Sequence, residues 1–198
     1  MLIKNVRLSY PSLFRPTSFD GKQEPKYQAH FIFEKGSETH KAVKAAIAKT
    51  IEDKWGDRPG DLTAEKICLK DGKTKVNKEG DYLDGYGPDV VFITTSSRKR
   101  PGVFNVDRSP LTEEDGIPYA GCYVNAQIEF WAQDNKFGKR INCELRGVQF
   151  VRDGDAFGGG GRPATADDFP ELEPSDDGVQ GQANDVPWDD DEDDDPLA

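Results

Sequence analysis

The sequence predicts a mainly β domain, an antiparallel barrel with one substantial helix, followed by a long acidic extension. Three observations carry that reading. Several segments alternate apolar and polar residues with the two-residue period of a strand, one segment has the four-residue apolar spacing of a helix, and acidic residues crowd the last quarter of the chain.

The first strand is read in residues 2–10, where Leu2, Ile3, Val6, Leu8 and Tyr10 approximate an alternation. Pro11, Pro16 and Pro25 make residues 11–25 a loop. Tyr27, Ala29, Phe31 and Phe33 then alternate with Gln28, His30 and Ile32, which predicts a second strand with one buried face and places His30 on the surface. Ser37 is a suitable N-cap. Val43, Ile47, Ile51 and Trp55 recur every fourth residue up to Gly56, so an amphipathic helix packs on the sheet and Trp55 belongs to its apolar stripe.

Residues 57–88 are rich in Asp, Gly and Lys, with a short strand expected at Lys66 to Lys70 and a turn at Asp71-Gly72. Val90 to Thr95 is a β-branched strand, and Val103 to Val106 a shorter one after Pro101-Gly102. Two long strands follow. Cys122, Val124, Ala126, Ile128 and Phe130 share one face of the first, opposite Tyr123, Asn125, Gln127, Glu129 and Trp131; in the second, Ile141, Cys143 and Leu145 form the apolar face. Gly147 shifts that phase to Val148 and Phe150, as a β-bulge does. One helix among many short strands favours a small antiparallel barrel of the OB-fold type, with long connections at 11–25, 57–88 and 107–118.

The charge divides the chain at Arg152. Residues 1–152 hold 25 Lys and Arg against 21 Asp and Glu, a net of +4, whereas residues 153–198 hold one base, Arg162, against 16 acids, a net of −15. The expected organisation is therefore a domain over 1–152 and a disordered Gly/Pro-rich acidic tail over 153–198, whose composition cannot bury enough apolar surface to offset the entropy of ordering it. No membrane-length apolar run or signal region is found, and Cys68, Cys122 and Cys143 form an odd set without CxxC spacing. A cytoplasmic protein without disulfides is expected. With His30 and His40 as the only histidines, no zinc site assembles by spacing, and neither a metal nor another cofactor is expected.

No HExxH, P-loop, GxSxG or Cys-His signature is present, so no catalytic residues are assigned. The hairpin Trp131 to Arg140 carries an aromatic, Phe137, at a polar and basic tip with Lys136, Lys139 and Arg140. Single strands are held by cations that follow phosphates and by aromatic faces on which bases stack. The hairpin offers both, although it also reads as an ordinary turn with solvated lysines. Tyr123 and Trp131 lie opposite the core pattern and could form a stacking platform beside it, unless a helix or loop covers them. Arg98, Lys99 and Arg100 at a strand end would add phosphate contacts.

Residues Tyr119-Ala120-Gly121-Cys122-Tyr123-Val124-Asn125, Trp131 through Lys139, Leu145 with Val148-Gln149-Phe150, and Asp153 through Gly158 resemble the bacteriophage single-stranded-DNA-binding proteins. Ser12-Leu13-Phe14, Tyr27 to Phe33 and Arg100-Pro101 extend the resemblance over most of the domain. It implies an OB-fold and sequence-independent protection of single-stranded DNA in phage replication or recombination, without catalysis or cofactor, in the host cytoplasm. A metal-dependent nuclease or recombination enzyme and an OB-type protein-interaction module are the alternatives.

The chain ends Trp188, Asp189, Asp190, Asp191, Glu192, Asp193, Asp194, Asp195, Pro196, Leu197, Ala198. Seven consecutive acids could compete with phosphate for a basic groove on the same molecule. The segment also resembles the acidic C-termini by which single-strand binders recruit replication proteins, but it lacks the terminal Pro-Phe of the bacterial versions.

Overall fold

The computed structural model describes residues 1–18, 21, 23–57, 60, 62–158 and 170. The chain divides into one unit over Met1–Pro163 and a second over Ala164–Ala198. The acidic stretch Trp188–Leu197 and the expected disorder of the tail lie outside the described residues.

Among the described residues seven strands form one sheet: β1 (Leu2–Thr17), β2 (Lys26–Glu34), β3 (Leu69–Asp71), β4 (Val90–Ser97), β5 (Gly102–Phe104), β6 (Tyr123–Asn135) and β7 (Gly138–Arg152). Their order is β3-β4-β2-β1-β6-β7-β5. Antiparallel pairs join β4 to β2, β2 to β1, β1 to β6 and β6 to β7. A parallel contact between Ser96 of β4 and Glu144 of β7 then closes β1, β2, β4, β6 and β7 into a barrel. This is the five-stranded OB architecture.

The inward residues read from the sequence alternation fill the barrel: Ala29, Phe31, Val124, Ala126, Ile128, Ile141, Leu145 and Val148 are all buried, joined by Ile93 of β4. The Gly147 phase shift is a true bulge, since Gln127 pairs with Gly147 but Ile128 pairs with Leu145. A Cβ at Gly147 would stand 3.2 Å from the carbonyl oxygen of Gly102, so this glycine lets β5 approach β7. Helix α1 (Glu38–Trp55) packs on the barrel through buried Val43 and Ile47. Ser37 Oγ accepts from the His40 amide at 3.2 Å at its start, and Gly56 at φ 62° ends it.

Four boundaries differ from the sequence reading. β1 runs to Thr17 through Pro11 and Pro16, because register shifts between Ser9, Ser12 and Thr17 interrupt the regular ladder with β2, and proline needs no donor at an interrupted pairing. Bulges also break the β1 alternation, so that Tyr10 and Leu2 are exposed rather than core. In the 57–88 connection the short strand is Leu69–Asp71, preceded by a 3₁₀ turn at Ala64–Lys66, and the expected turn at Asp71-Gly72 is the 3₁₀ turn Gly72–Thr74. The strand expected at Val103 to Val106 is Gly102–Phe104.

The domain also extends past Arg152. Tyr119 Oη donates to Asp153 Oδ1 (2.7 Å) and accepts from the Gly154 amide (3.2 Å), while Arg7 donates to the Asp155 carbonyl (2.6 Å). The Phe157 amide donates to the Ala120 carbonyl at 3.0 Å and the Gly158 amide to Asp84 Oδ2 at 2.8 Å. Phe157 packs outside the barrel against a second apolar cluster of Ile32, Tyr86 and Phe92. Backbone groups spaced along a polar stretch carry this strap, which periodicity does not reveal. Half-burying a phenylalanine contributes about 1 kcal/mol. A chain ending at Arg152 should therefore unfold at lower urea than one ending at Pro163, by roughly that amount; equal urea midpoints would show that the strap adds no stability.

Candidate nucleic-acid interface

A polar groove of about 460 Å³ lies across the barrel seam, lined by Lys26, Ser96, Ser97, Arg98, Lys99, Trp131, Gln133, Asn142 and Glu144. The alternation of β2 and β4 makes the outer face: Gln28 pairs with Ser96 and His30 with Thr94, opposite the inward Ala29–Thr95 and Phe31–Ile93 pairs. On the other bank, Trp131 of β6 pairs with Asn142 of β7 and is 44% exposed. Arg98 donates to Glu24 at 2.8 Å in a solvent-exposed pair, which holds it with little energy. Glu144, the groove's acid, is neutralised in part by Arg146 at 3.5 Å.

Arg98, Lys99 and Trp131, far apart in sequence, thus meet in one groove. The tip of the β6–β7 hairpin bears Phe137, 71% exposed, with Lys136 Nζ 5.1 Å from its ring centroid. Arg140 stands on the face of β7 that carries Asn142. The other three expected residues go elsewhere. Lys139 Nζ lies over Trp55 at 5.2 Å, where the indole donates to Asp134 Oδ2 at 2.8 Å. Arg100 stacks on Phe14 at 5.7 Å. Tyr123 lies 3.4 Å from Arg152 Cζ and 5.4 Å from Arg7 Cζ. Eight strand residues separate it from Trp131, about 26 Å, so the two rings do not form one platform.

The sequence reading missed Lys26, and it missed a set of rings farther along the same face. Tyr10 projects there from a β1 bulge at φ 48°, its ring 5.1 Å from His30 and edge-on to it. His30 lies on the outer face, as expected, but is half-buried because the 75–88 segment packs over it: its ring lies 5.3 Å from Phe92, and Nδ1 is 3.1 Å from Tyr86 Oη, which donates to Ser9 Oγ at 3.1 Å. Burial, assisted by the nearby Lys75 charge, holds the His30 imidazole down at about 4, and burial pushes the Tyr86 phenol up to about 12. The Cys122 thiol is likewise pushed up to about 12 by burial, and Cys68, Cys122 and Cys143 are free and buried. Among the described residues no group of three or more His, Cys, Asp or Glu could hold a metal ion, and no helix is long and apolar enough to cross a membrane.

The family model described as Enterobacter phage Enc34, ssDNA-binding protein, matches residues 1–179. The chain belongs to this family. It is 42% identical over 178 residues to protein p50 of Acyrthosiphon pisum secondary endosymbiont phage 1, covering 86% of this chain and 92% of that one. The single-stranded DNA-binding protein from bacteriophage Enc34 in complex with ssDNA matches with a TM-score of 0.63 and 32% identity, over 79% of this chain and 88% of that one. The same Enc34 protein in a second structure matches with a TM-score of 0.61 and 33% identity, over 84% and 87%. Membership agrees with the resemblance read from residues 119–158.

His30 supplies a test of the outer face of this Enc34-family barrel. Its unfolded imidazole takes a proton near 6.5, whereas the folded one resists until about 4. The stability from keeping it neutral is therefore complete above 6.5 and is lost as pH falls toward 4. Between pH 7 and pH 5 urea unfolding should show a loss of about 2 kcal/mol that a His30→Asn variant lacks. Parallel pH curves for the two proteins would contradict the assignment.

Proposed function

We propose that this protein binds single-stranded DNA without sequence preference and protects it during phage replication or recombination. The groove that joins Lys26, Arg98 and Lys99 to the exposed Trp131 carries the reading. Cations along a groove take phosphates, an indole face accepts any base, and neither contact reads a base edge. The hairpin residues Lys136, Phe137 and Arg140 extend the groove. In OB-folds the face of the second and third barrel strands and the two adjoining loops serve for oligonucleotides, and β2, β4 and the β6–β7 hairpin occupy those positions here. The complex of the Enc34 relative with ssDNA supports the same ligand. The role is binding, not catalysis.

The acidic stretch is proposed as a regulator. Residues 164–198 hold fourteen acids and no base, whereas residues 1–163 hold 26 bases and 23 acids, a net of +3. A tethered polyanion competes with phosphate at high effective concentration and can also dock basic sites on replication proteins.

Titration of fluorescent poly-dT tests the first reading. Stoichiometric binding is expected without metal and without strand cleavage on adding Mg²⁺, which separates a binder from a nuclease; failure to bind poly-dT after removal of 164–198 rejects the reading in favour of a protein-interaction module. Trp131→Ala should weaken binding by about 1–3 kcal/mol. Arg98→Ala should lower the slope of log affinity against log salt by about 0.7 if it neutralises one phosphate. Deleting 164–198 should tighten binding most at low salt; an unchanged affinity at every salt concentration excludes autoinhibition.

A further inference from the structure

The groove at Arg98 is not the end of the aromatic surface. Four strand residues from Lys26, about 13 Å along the same face of β2, His30 carries the ring of Tyr10. Tyr10 borders an apolar cleft of about 300 Å³ whose other walls are Ser9, Leu83, Asp84, Tyr86, Ala120, Phe157 and Gly158. That volume is at the lower end for ligand sites and suits one ring system.

Three features argue that the cleft is built for a ligand and is not a packing gap. Tyr10 is an aromatic residue at φ 48°, a backbone conformation that side-chain-bearing residues seldom adopt, and it is 48% exposed, so the bulge holds a large ring out into solvent instead of burying it. The opposite wall is fixed. A Cβ at Gly85 would lie 2.2 Å from the Phe157 ring, and Asp84 holds the Gly158 amide, so Phe157 is seated by a glycine at φ 77° and a hydrogen bond. Charge completes the arrangement: Lys75 Nζ stands 5.1 Å from the Tyr10 centroid, and Arg7 Cζ 4.5 Å from that of Phe157. Asp84 keeps phosphate from the inner wall and leaves the base, not the backbone, to enter.

We infer that the cleft between Tyr10, Tyr86 and Phe157 is a stacking subsite for one unpaired base, with Lys75 at the adjoining phosphate, on the path of the strand that crosses the groove at Arg98. This rests on the single-strand reading above. It makes the footprint at least two separate stacking positions, Trp131 and Tyr10, joined along the outer face of β2.

The test uses the full chain and oligo-dT carrying one 5-iodouracil, cross-linked by ultraviolet light and mapped by peptide mass spectrometry. Adducts are expected on the peptide containing Tyr10 as well as on that containing Trp131. Tyr10→Ala should weaken oligo-dT binding about 5- to 140-fold, and Tyr10→Phe, which keeps the stacking face, should restore most of that loss. Cross-linking of the wild type stays informative even if Tyr10→Ala unfolds. Wild-type binding with adducts confined to the Trp131 region, or full affinity in folded Tyr10→Ala, overturns the subsite alone. No oligo-dT binding by the wild type overturns the single-strand reading beneath it.

Discussion

The contact between Ser96 of β4 and Glu144 of β7 is the constraint on which this domain depends, because one parallel bridge turns a curved sheet into a closed barrel. Closure needs β7 to bend, and the bulge at Gly147 supplies the bend while admitting β5 against its outer edge. The candidate groove straddles that seam. Ser96 and Glu144 line it, and the flanking Arg98, Lys99 and Trp131 are brought within one site by the same closure. Stability and binding geometry therefore share an origin, and damage to the seam should disperse the site as it opens the barrel.

A second layer organises the outer face. The 75–88 segment and the strap 153–158 cover part of β2 and β4 with Tyr86, Leu83 and Phe157, forming an apolar cluster outside the barrel. The cover is held by polar contacts that water does not reach easily: Ser9, Tyr86 and His30 form one chain of hydrogen bonds, and a neutral imidazole is the cost of burying it. Where the cover ends, Tyr10 remains open. Two exposed aromatics thus stand at its limits, Trp131 beside the seam and Tyr10 beside the strap.

Much of the barrel was legible in the sequence. The inward faces of β2, β6 and β7, the existence of β4, the Gly147 bulge and the capped helix follow from side-chain period, β-branched content and turn chemistry, which are local. The β1 bulges were not legible, because an inserted residue reverses the facing of every later residue in the strand without altering composition, and so the alternation set Tyr10 on the same face as the buried Leu8. The strap was hidden for a related reason: apart from the Asp153 carboxylate, main-chain groups of Gly154, Asp155, Phe157 and Gly158 make its bonds, and these carry no residue signature. Of the expected site residues, Arg98, Lys99 and Trp131 converge, while Tyr123, Arg100 and Lys139 are drawn to other rings.

By itself the sequence determined the strand and helix faces, the opposite charges of the two parts of the chain and the family resemblance, since each depends on residues near one another or on sums over them. Tertiary structure alone decided which cations and rings meet. Lys26, Arg98 and Trp131 are separated by 72 and 33 positions; the β2–β4 ladder sets Lys26 beside Arg98, and the β4–β7 closure, a long-range pairing with no local precursor, brings Trp131 to them.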